Sequence, residues 1–104
     1  MAYKIQLTED AEQNLDSYIR YLLFVKKSEQ AAGNLLDDFE ATKRSLELVA
    51  GSLSYCENLR LKELGYKKIS FLSHRYFMLF RIQGNVAIVD NIFHELQDFE
   101  HKML

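Results

Sequence analysis

Residues 66–93 read YKKISFLSHRYFMLFRIQGNVAIVDNIF, and this stretch decides the fold of the chain. Two short polar breaks, at residues 73–74 and 83–85, divide it into three runs rich in β-branched and aromatic residues. Short polar turns between such runs are typical of an antiparallel meander. The second and third runs, 75–82 and 86–93, are apolar at odd and even positions alike. Strands of this kind are predicted to be covered on both faces of their sheet.

The N-terminal part of the sequence predicts one strand and one helix. Residues 3–7 alternate apolar with polar side chains, which indicates a short half-buried strand. Thr8 is a predicted N-cap, followed by apolar residues at helical spacing. This helix is predicted to end near Lys26 and Lys27, because cations suit the C-terminus of a helix.

A second helix is predicted from Ser28, its N-cap, to a stop at Gly51. Residues 52–64 are predicted to form a loop with some local order. The tail 94–104 is expected either to form a short helix or to lie across the sheet. The order is therefore β-α-α-β-β-β, an α+β fold with two N-terminal helices packed on one face of an antiparallel sheet. A chain of 104 residues supports one core, so residues 1–104 are predicted to be a single domain.

Two helices on one face leave the other face of the predicted sheet without helical cover. The side chains expected to point there are apolar, namely Phe77, Leu79, Ala87 and Val89. An uncovered apolar strip favours binding of another surface. Two alternatives stay open: the tail of the chain folds back over this face, or a partner chain covers it.

Composition excludes several classes of protein. The single cysteine, Cys56, rules out an internal disulfide and fits a reducing cytoplasm. A signal-peptide pattern and a membrane span are both missing from the sequence, so a cytoplasmic protein without a membrane partner is expected. The net charge of −2 argues against a general nucleic-acid binder, although residues 59–82 carry six basic residues and one acid. That local charge either forms a patch or belongs to solvated strand edges.

Candidate chemical groups are few. The sequence has no Gly-rich phosphate loop and no Cys/His metal spacing, so no cofactor and no metal site are expected. His94, at the end of the last strand, is the candidate general acid or base. The candidate contacts to a target or to phosphate are the basic residues of the meander, Lys67, Lys68, Arg75 and Arg81.

These basic residues carry alternative interpretations. Arg81 either forms an ion pair within the sheet or contacts a phosphate or carboxylate. Neighbouring strand residues point to opposite faces, so only one of Lys67 and Lys68 can share a surface with Arg81. The two other histidines, His74 and His101, are expected to be solvated surface residues.

The element order and three segments of the meander resemble the RelE/ParE toxin superfamily over nearly the whole chain. The segments are YKK at 66–68, YFMLFRI at 76–82 and NIFHELQDF at 91–99. The resemblance implies a small bacterial toxin, encoded beside an antitoxin that wraps it with an extended segment and a helix. That antitoxin would cover the apolar face defined above. One branch of the superfamily cuts mRNA on the ribosome, and the ParE branch poisons DNA gyrase.

Departures from the ribonuclease pattern favour the ParE branch. Tyr76 is followed by Phe77 where ribonuclease members carry arginine, and His94 is followed by Glu95 where they carry a basic residue. Phe99 stands where a tyrosine is common. Attack by a 2′-hydroxyl needs a base, an acid and positive charge on the phosphate, and this chain offers few of these groups.

The leading hypothesis is thus a toxin that inhibits a protein target such as DNA gyrase and is neutralised by its antitoxin. The first alternative is a ribosome-dependent mRNA endonuclease of the RelE/YoeB type, with His94 and Arg81 as catalytic residues. The second is an inactive remnant that still binds the antitoxin. The oligomeric state is left open, with a homodimer among the alternatives.

Overall fold

The structure, a computed structural model, describes residues 2–97 and 99–103, with the backbone alone for Phe99 and His101. The expectations for those two side chains therefore lie outside the described residues. The strands are β1 Lys4–Leu7, β2 Lys67–Ser70, β3 Tyr76–Gln83 and β4 Val86–His94. The helices are α1 Glu9–Arg20, α2 Glu29–Val49, α3 Leu59–Glu63 and α4 Phe99–Met103, with a π-helical turn at Tyr21–Val25 and a 3-10 turn at Ala50–Ser52. The predicted β-α-α-β-β-β order is confirmed, and α3 and α4 are added to it.

Side-chain caps fix where the helices begin. The predicted cap Thr8 accepts a hydrogen bond from the backbone N–H of Ala11 at 3.2 Å, and Ser28 accepts one from Ala31 at 3.1 Å. Each bond satisfies an N–H group that the first turn of a helix leaves free. Both predicted helix starts are therefore confirmed.

The four strands form one sheet in the order β1-β4-β3-β2. The meander pairs as predicted, with β2–β3 and β3–β4 antiparallel. By contrast, β1 lies parallel to β4, with Lys4 beside Val86, so the sheet is mixed rather than antiparallel throughout. A period-two pattern is the same in either direction, and the two intervening helices allow a parallel pairing.

The main core lies between the sheet and the two long helices. Its largest members are buried side chains from α2, β3 and β4, namely Leu35, Phe39, Leu46, Met78, Phe80, Val89 and Ile92. Apolar residues of α1 and β1 pack against them, among them Leu15 and Ile5. Both helices therefore cover the same face of the sheet, as predicted.

The other face of the sheet is covered by the chain itself, which corrects the expectation of a bare apolar face. Phe77 and Leu79 point there but are only 1% and 0% exposed. They form a second buried cluster with Cys56, Leu61 and Phe93, against which Tyr66 and Met103 pack. Cover by the tail, one of the two alternatives, is thus found in the structure, and α3 provides the rest.

A β-bulge explains why Ala87 and Val89 lie on the other face from Phe77 and Leu79. Leu79 is opposite Asn91, but Phe80 is opposite Val89, so Asp90 has no partner on β3. One extra residue inverts the facing of every residue beyond it. Ala87 and Val89 therefore point into the core beneath the long helices, where both are 0% exposed.

Candidate functional site

His94 lies at one end of the β3–β4 hairpin, beside Arg75 and Tyr76. Tyr76 is its partner across the two strands, and the two rings meet edge to face with centroids 5.0 Å apart. The next residue, Glu95, donates its N–H to the carbonyl of Arg75 at 2.9 Å. The ring of Tyr18, from α1, lies 4.9 Å from that of Tyr76. The candidate acid or base is therefore held by an aromatic cluster, with Arg75 next to it.

Hydrogen bonds from the tail set the chemistry of His94. Its Nδ1 accepts the N–H of Leu96 at 3.1 Å, and its own N–H donates to Gln97 Oε1 at 2.7 Å. An Nδ1 that accepts a hydrogen bond cannot carry the proton, so the neutral ring is protonated on Nε2. Any proton transfer by His94 in this geometry runs through Nε2.

Arg81 is separated from His94 and engaged elsewhere. Arg81 lies five residues beyond Tyr76 on β3, a distance of about 17 Å at the rise of a strand. Its neighbours in sequence point into the main core, so Arg81 points to the opposite face from His94. Arg81 Nε donates to Asp90 Oδ2 at 2.9 Å, and this bond and the charge of Asp90 raise the pKa of Arg81. The structure does not bring the two predicted catalytic residues together.

Tyr66 completes the Arg81–Asp90 cluster. Burial raises the pKa of its hydroxyl above the ordinary value of 10.0, and hydrogen bonding and charge from Asp90 raise it further, partly offset by Arg81. A phenol that stays protonated beside an ion pair serves as a neutral hydrogen-bonding group. The cluster is therefore satisfied internally, which leaves Arg81 poorly suited to hold a phosphate.

The lysines do not add to a common cationic surface. Lys67 is only 7% exposed, donates to the carbonyl of Gly51 at 3.4 Å and lies 4.8 Å over the ring of Tyr55. Lys68 points to the opposite face, with its Nζ 4.6 Å over the ring of Phe77. The predicted division of the two lysines between faces is confirmed. Of the four basic candidates, Lys68 and Arg81 share a face, and Arg75 alone lies at the His94 end.

A polar cleft of about 550 Å³ lies where α1 borders the last part of β4. Since β1 ends at Leu7, the backbone groups of β4 beyond Val89 have no strand partner on this side among the described residues. Polar side chains of Thr8 and α1 form hydrogen bonds with them instead. Asn14 Oδ1 accepts the N–H of Ile92 at 3.0 Å, and Thr8 Oγ1 donates to the carbonyl of Asp90 at 2.8 Å. These bonds, one from the N-cap of α1 and one from the helix itself, fix the position of α1 along β4.

Tyr18 is held in this cleft by two hydrogen bonds. Its Oη lies 2.9 Å from the carbonyl of Ile92 and 2.7 Å from Gln97 Oε1, so one proton serves two acceptors. Burial raises the pKa of Tyr18 above 10.0, and the nearby Tyr76 adds to the rise. Through Gln97, Tyr18 also connects α1 to the backbone of His94.

An apolar groove of about 590 Å³ runs between α1, α2 and β1. Its floor is formed by Ile5, Leu7, Leu15, Ile19, Leu36 and Phe39, and its rim carries Glu12, Asp16, Glu40 and Lys43. β1 is an edge strand, whose outer backbone groups can pair with an added strand. The groove is therefore suited to an apolar segment with basic flanks. Sequence reasoning assigned these apolar residues to the core and missed the groove.

Asp38 and His74 form a second feature that sequence reasoning missed. The side chain of Asp38, on α2, is 4% exposed, and its carboxylate lies 2.7 Å from His74 Nδ1. It also accepts the N–H groups of Leu72 and Ser73 at 3.1 Å. His74 is thus a paired, half-buried residue rather than the solvated one expected. The sequence does indicate that Asp38 is buried, because it follows Leu35 by three residues and so lies on the apolar stripe of the helix.

Comparison with solved structures found a similar chain in a structure titled "Chromosomal ParDE TA system from P. aeruginosa". The TM-score is 0.69, and the alignment covers 89% of this chain and 96% of that chain. The two chains share one fold. The RelE/ParE-like fold class is therefore confirmed, at a sequence identity of 18%. Neither a scan against protein-family models nor a search of curated proteins gave a match.

Two further properties concern the described residues only. Within residues 2–97 and 99–103, no helix is both long enough and apolar enough to cross a membrane. In the same part of the chain, no three His, Cys, Asp or Glu side chains are grouped so that they could hold a metal ion.

Proposed function

We propose that this chain is the toxin of a type II toxin–antitoxin pair and that a cognate antitoxin neutralises it. The observation that carries the proposal is the shared fold, which extends over nearly all of both chains in the comparison with the ParDE structure. The meander segments that resemble the RelE/ParE superfamily support it independently, because they were identified from sequence alone.

The groove between α1, α2 and β1 is our proposed docking site for the antitoxin. Phe77, Leu79, Ala87 and Val89, the side chains first expected to bind it, are buried within the fold. Binding at Phe77 and Leu79 would require α3 and α4 to move, whereas the groove is already open. An antitoxin segment that lays apolar residues into the groove and basic residues on its acidic rim would match this surface.

We propose further that the toxin acts by inhibiting a protein, such as DNA gyrase, rather than by cutting RNA. Three features support this mode of action. Arg81 is paired with Asp90, Lys67 is buried, and the overall charge is negative. A ribosomal nuclease would instead need several free cations near its general acid.

One observation favours the ribonuclease alternative. His94 and Arg75 lie at the same end of the hairpin, and the side chain of Arg75 is exposed. An imidazole protonated on Nε2 and an arginine at the same end of a hairpin are the minimal groups for phosphodiester chemistry. Under this alternative, primer extension on translated messages shows codon-phased cuts that disappear in His94→Ala, and Arg75 replaces Arg81 as the phosphate contact.

The proposal is tested by inducible expression, alone and together with the adjacent short reading frame. We expect growth arrest from the toxin alone and recovery on co-expression. Leu36→Glu, in the groove and 45% exposed, should keep the toxicity and lose the rescue. Leu48→Glu, on the same helix and 75% exposed, is the matched control and should behave as wild type. Continued growth despite abundant folded protein would contradict the proposal and select the inactive remnant.

The target is tested separately with purified protein. We expect inhibition of supercoiling by DNA gyrase at micromolar toxin, without cleavage of translated messages. Normal supercoiling together with phased cleavage would replace the gyrase proposal by the ribonuclease alternative.

A further inference from the structure

The turn between α1 and α2 exposes an unusually apolar segment. Its residues, Tyr21–Val25, read YLLFV, and none of the five is buried. Phe24 is 71% exposed, Val25 64% and Tyr21 48%. Large apolar side chains that lie together on a surface mark an interaction site more often than isolated ones do.

The backbone explains why Tyr21, Phe24 and Val25 are exposed, whereas Leu22 still packs against the main core. The N–H of Lys26 bonds to the carbonyl of Tyr21, five residues back, at 3.1 Å, and that of Ser28 bonds to Leu22 at 2.9 Å. A π-helical turn of this kind rotates the following residues away from the buried stripe of α1. Lys27 then ends the turn at a φ of 53°, a left-handed conformation uncommon for residues other than glycine. Such departures from regular geometry are frequent at functional sites.

Basic residues surround the exposed segment. Arg20, Lys26 and Lys27 flank it, and no acidic residue occurs between Ser17 and Ser28. Asp16 precedes the segment and pairs with Arg20 at 2.8 Å, and Glu29 follows it at the start of α2. Lys26 Nζ lies 5.8 Å from the ring centroid of Tyr21. In a chain of net charge −2, this is an apolar centre whose cationic rim consists of Lys26 and Lys27, since Asp16 neutralises Arg20.

We propose that this hairpin tip, Tyr21–Lys27, is the surface with which the toxin holds its protein target, at an apolar pocket with an acidic rim. The inference rests on the proposed function, and it assigns the target to a surface other than the groove given to the antitoxin. Aromatic anchors ringed by charge are typical of protein–protein interfaces. Nucleic-acid sites carry more cations and fewer aliphatic residues, and membrane-bound helices present a longer apolar face.

The test compares three variants with the wild-type toxin. Phe24→Ser removes the anchor, and Lys26→Glu with Lys27→Glu reverses the rim. Leu48→Ser removes an equally exposed apolar side chain from elsewhere on the surface. Each is assayed for growth arrest at matched soluble expression and for inhibition of purified DNA gyrase, with thermal unfolding as the check on folding. We expect Phe24→Ser and the charge reversal to weaken inhibition about tenfold or more, and Leu48→Ser to match wild type.

The outcomes separate this inference from the function on which it rests. Full activity of Phe24→Ser would show that the tip does not bind the target, and the proposal that the chain is a toxin would be unaffected. If wild type arrests growth but does not inhibit gyrase, gyrase is not the target. The comparison of growth arrest among the variants then shows whether the tip binds the target. If wild type arrests nothing, both fail.

Other occupants of the tip give their own results, each of which overturns the inference. A Phe24→Ser toxin that stays toxic but escapes the antitoxin assigns the tip to the antitoxin. If wild type is a dimer and Phe24→Ser is a monomer, the tip is an interface between two copies of this chain. If wild type sediments with phosphatidylglycerol vesicles and Phe24→Ser does not, the tip is a lipid-binding surface. If wild type binds ribosomal RNA and Phe24→Ser does not, the tip is an RNA-binding surface.

Discussion

Arg81 Nε donates to Asp90 Oδ2 across 2.9 Å, and Asp90 is the residue of β4 that the bulge leaves without a partner on β3. The ion pair therefore stabilises the irregular point of the central strand pair. It also neutralises Arg81, which shares a face of the sheet with Lys68. The bulge accounts for the facing of Ala87 and Val89, and the ion pair accounts for the weak case for phosphate binding by Arg81.

Asp90→Asn should destabilise the fold modestly. The side chain of Arg81 is 39% exposed, so solvent screens the pair, and we expect a loss of about 0.5–1 kcal/mol in the free energy of unfolding. Urea unfolding measures it, and a double-mutant cycle with Arg81→Met isolates the coupling. Asp16→Asn, which breaks the more exposed pair with Arg20, is the control and should change stability less. Equal losses in both variants would contradict a special role for the pair at the bulge.

Asp38→Ala should be far more damaging. The carboxylate accepts the N–H groups of Leu72 and Ser73, and these lose their acceptor, so we expect a loss of about 2–4 kcal/mol. The control is Asp37→Ala, at an exposed neighbouring position on the same helix, for which we expect a loss of less than about 0.5 kcal/mol in the free energy of unfolding. Amide hydrogen exchange adds a local readout, since residues 72–73 should lose protection first. Unchanged exchange at these amides would show that Asp38 does not hold the β2–β3 connection.

Alkaline pH should destabilise the protein through Tyr18. Burial raises its folded-state pKa above 10.0, so the folded chain holds the proton more tightly than the unfolded chain. This contribution to stability is complete below pH 10.0 and is lost as the pH rises through the folded-state pKa. Tyr18→Phe should cost about 1 kcal/mol at pH 8 and remove that part of the alkaline loss.

Urea unfolding between pH 8 and 11 measures the effect, with the exposed Tyr55→Phe as the matched control. Ultraviolet difference absorbance of tyrosinate gives a second readout. A Tyr18→Phe protein whose stability falls as steeply above pH 10 as that of wild type would assign the alkaline loss elsewhere.

The thiol of Cys56 should react slowly. Burial raises its pKa above 9.0, only partly offset by Lys68, while Glu100 of α4 adds to the rise. At pH 8 we expect reaction with Ellman's reagent about tenfold slower than that of free cysteine. A chain ending at Gln97 lacks α4 and should react faster. The same rate with and without α4 would mean that the tail does not shield this face.

Pattern and capping in the sequence predicted most of the fold, because they are local properties. Thr8 and Ser28 marked the helix starts correctly, and the polar breaks placed both hairpin turns. The cap of α3 was also readable, since Asn58 accepts the N–H of Leu61 at 3.1 Å and precedes a short helical pattern. The helix was not predicted because it has only five residues.

Non-local geometry could not be predicted in the same way. The bulge at Asp90 inverts the facing of half of β4, and a period-two pattern contains no sign of it when both faces are apolar. The direction of β1 is equally absent from its alternation. Consequently the expectation that Phe77 and Val89 share a face was wrong, because it depended on register. The separation of His94 from Arg81 follows from the hairpin alone, since a turn at residues 83–85 places His94 opposite Tyr76. His94 and Arg75 stay predictions as functional residues, and the structure adds that both lie at the same end of the hairpin.

The pairing of Lys4–Leu7 with Val86–Val89 has a consequence for synthesis. The first strand is translated long before β4, its strand partner among the described residues, so the two helices emerge from the ribosome before there is a sheet for them to pack on. Contacts between such distant segments form slowly. The groove lined by β1 and the two long helices therefore takes its final shape only after β4 has been made.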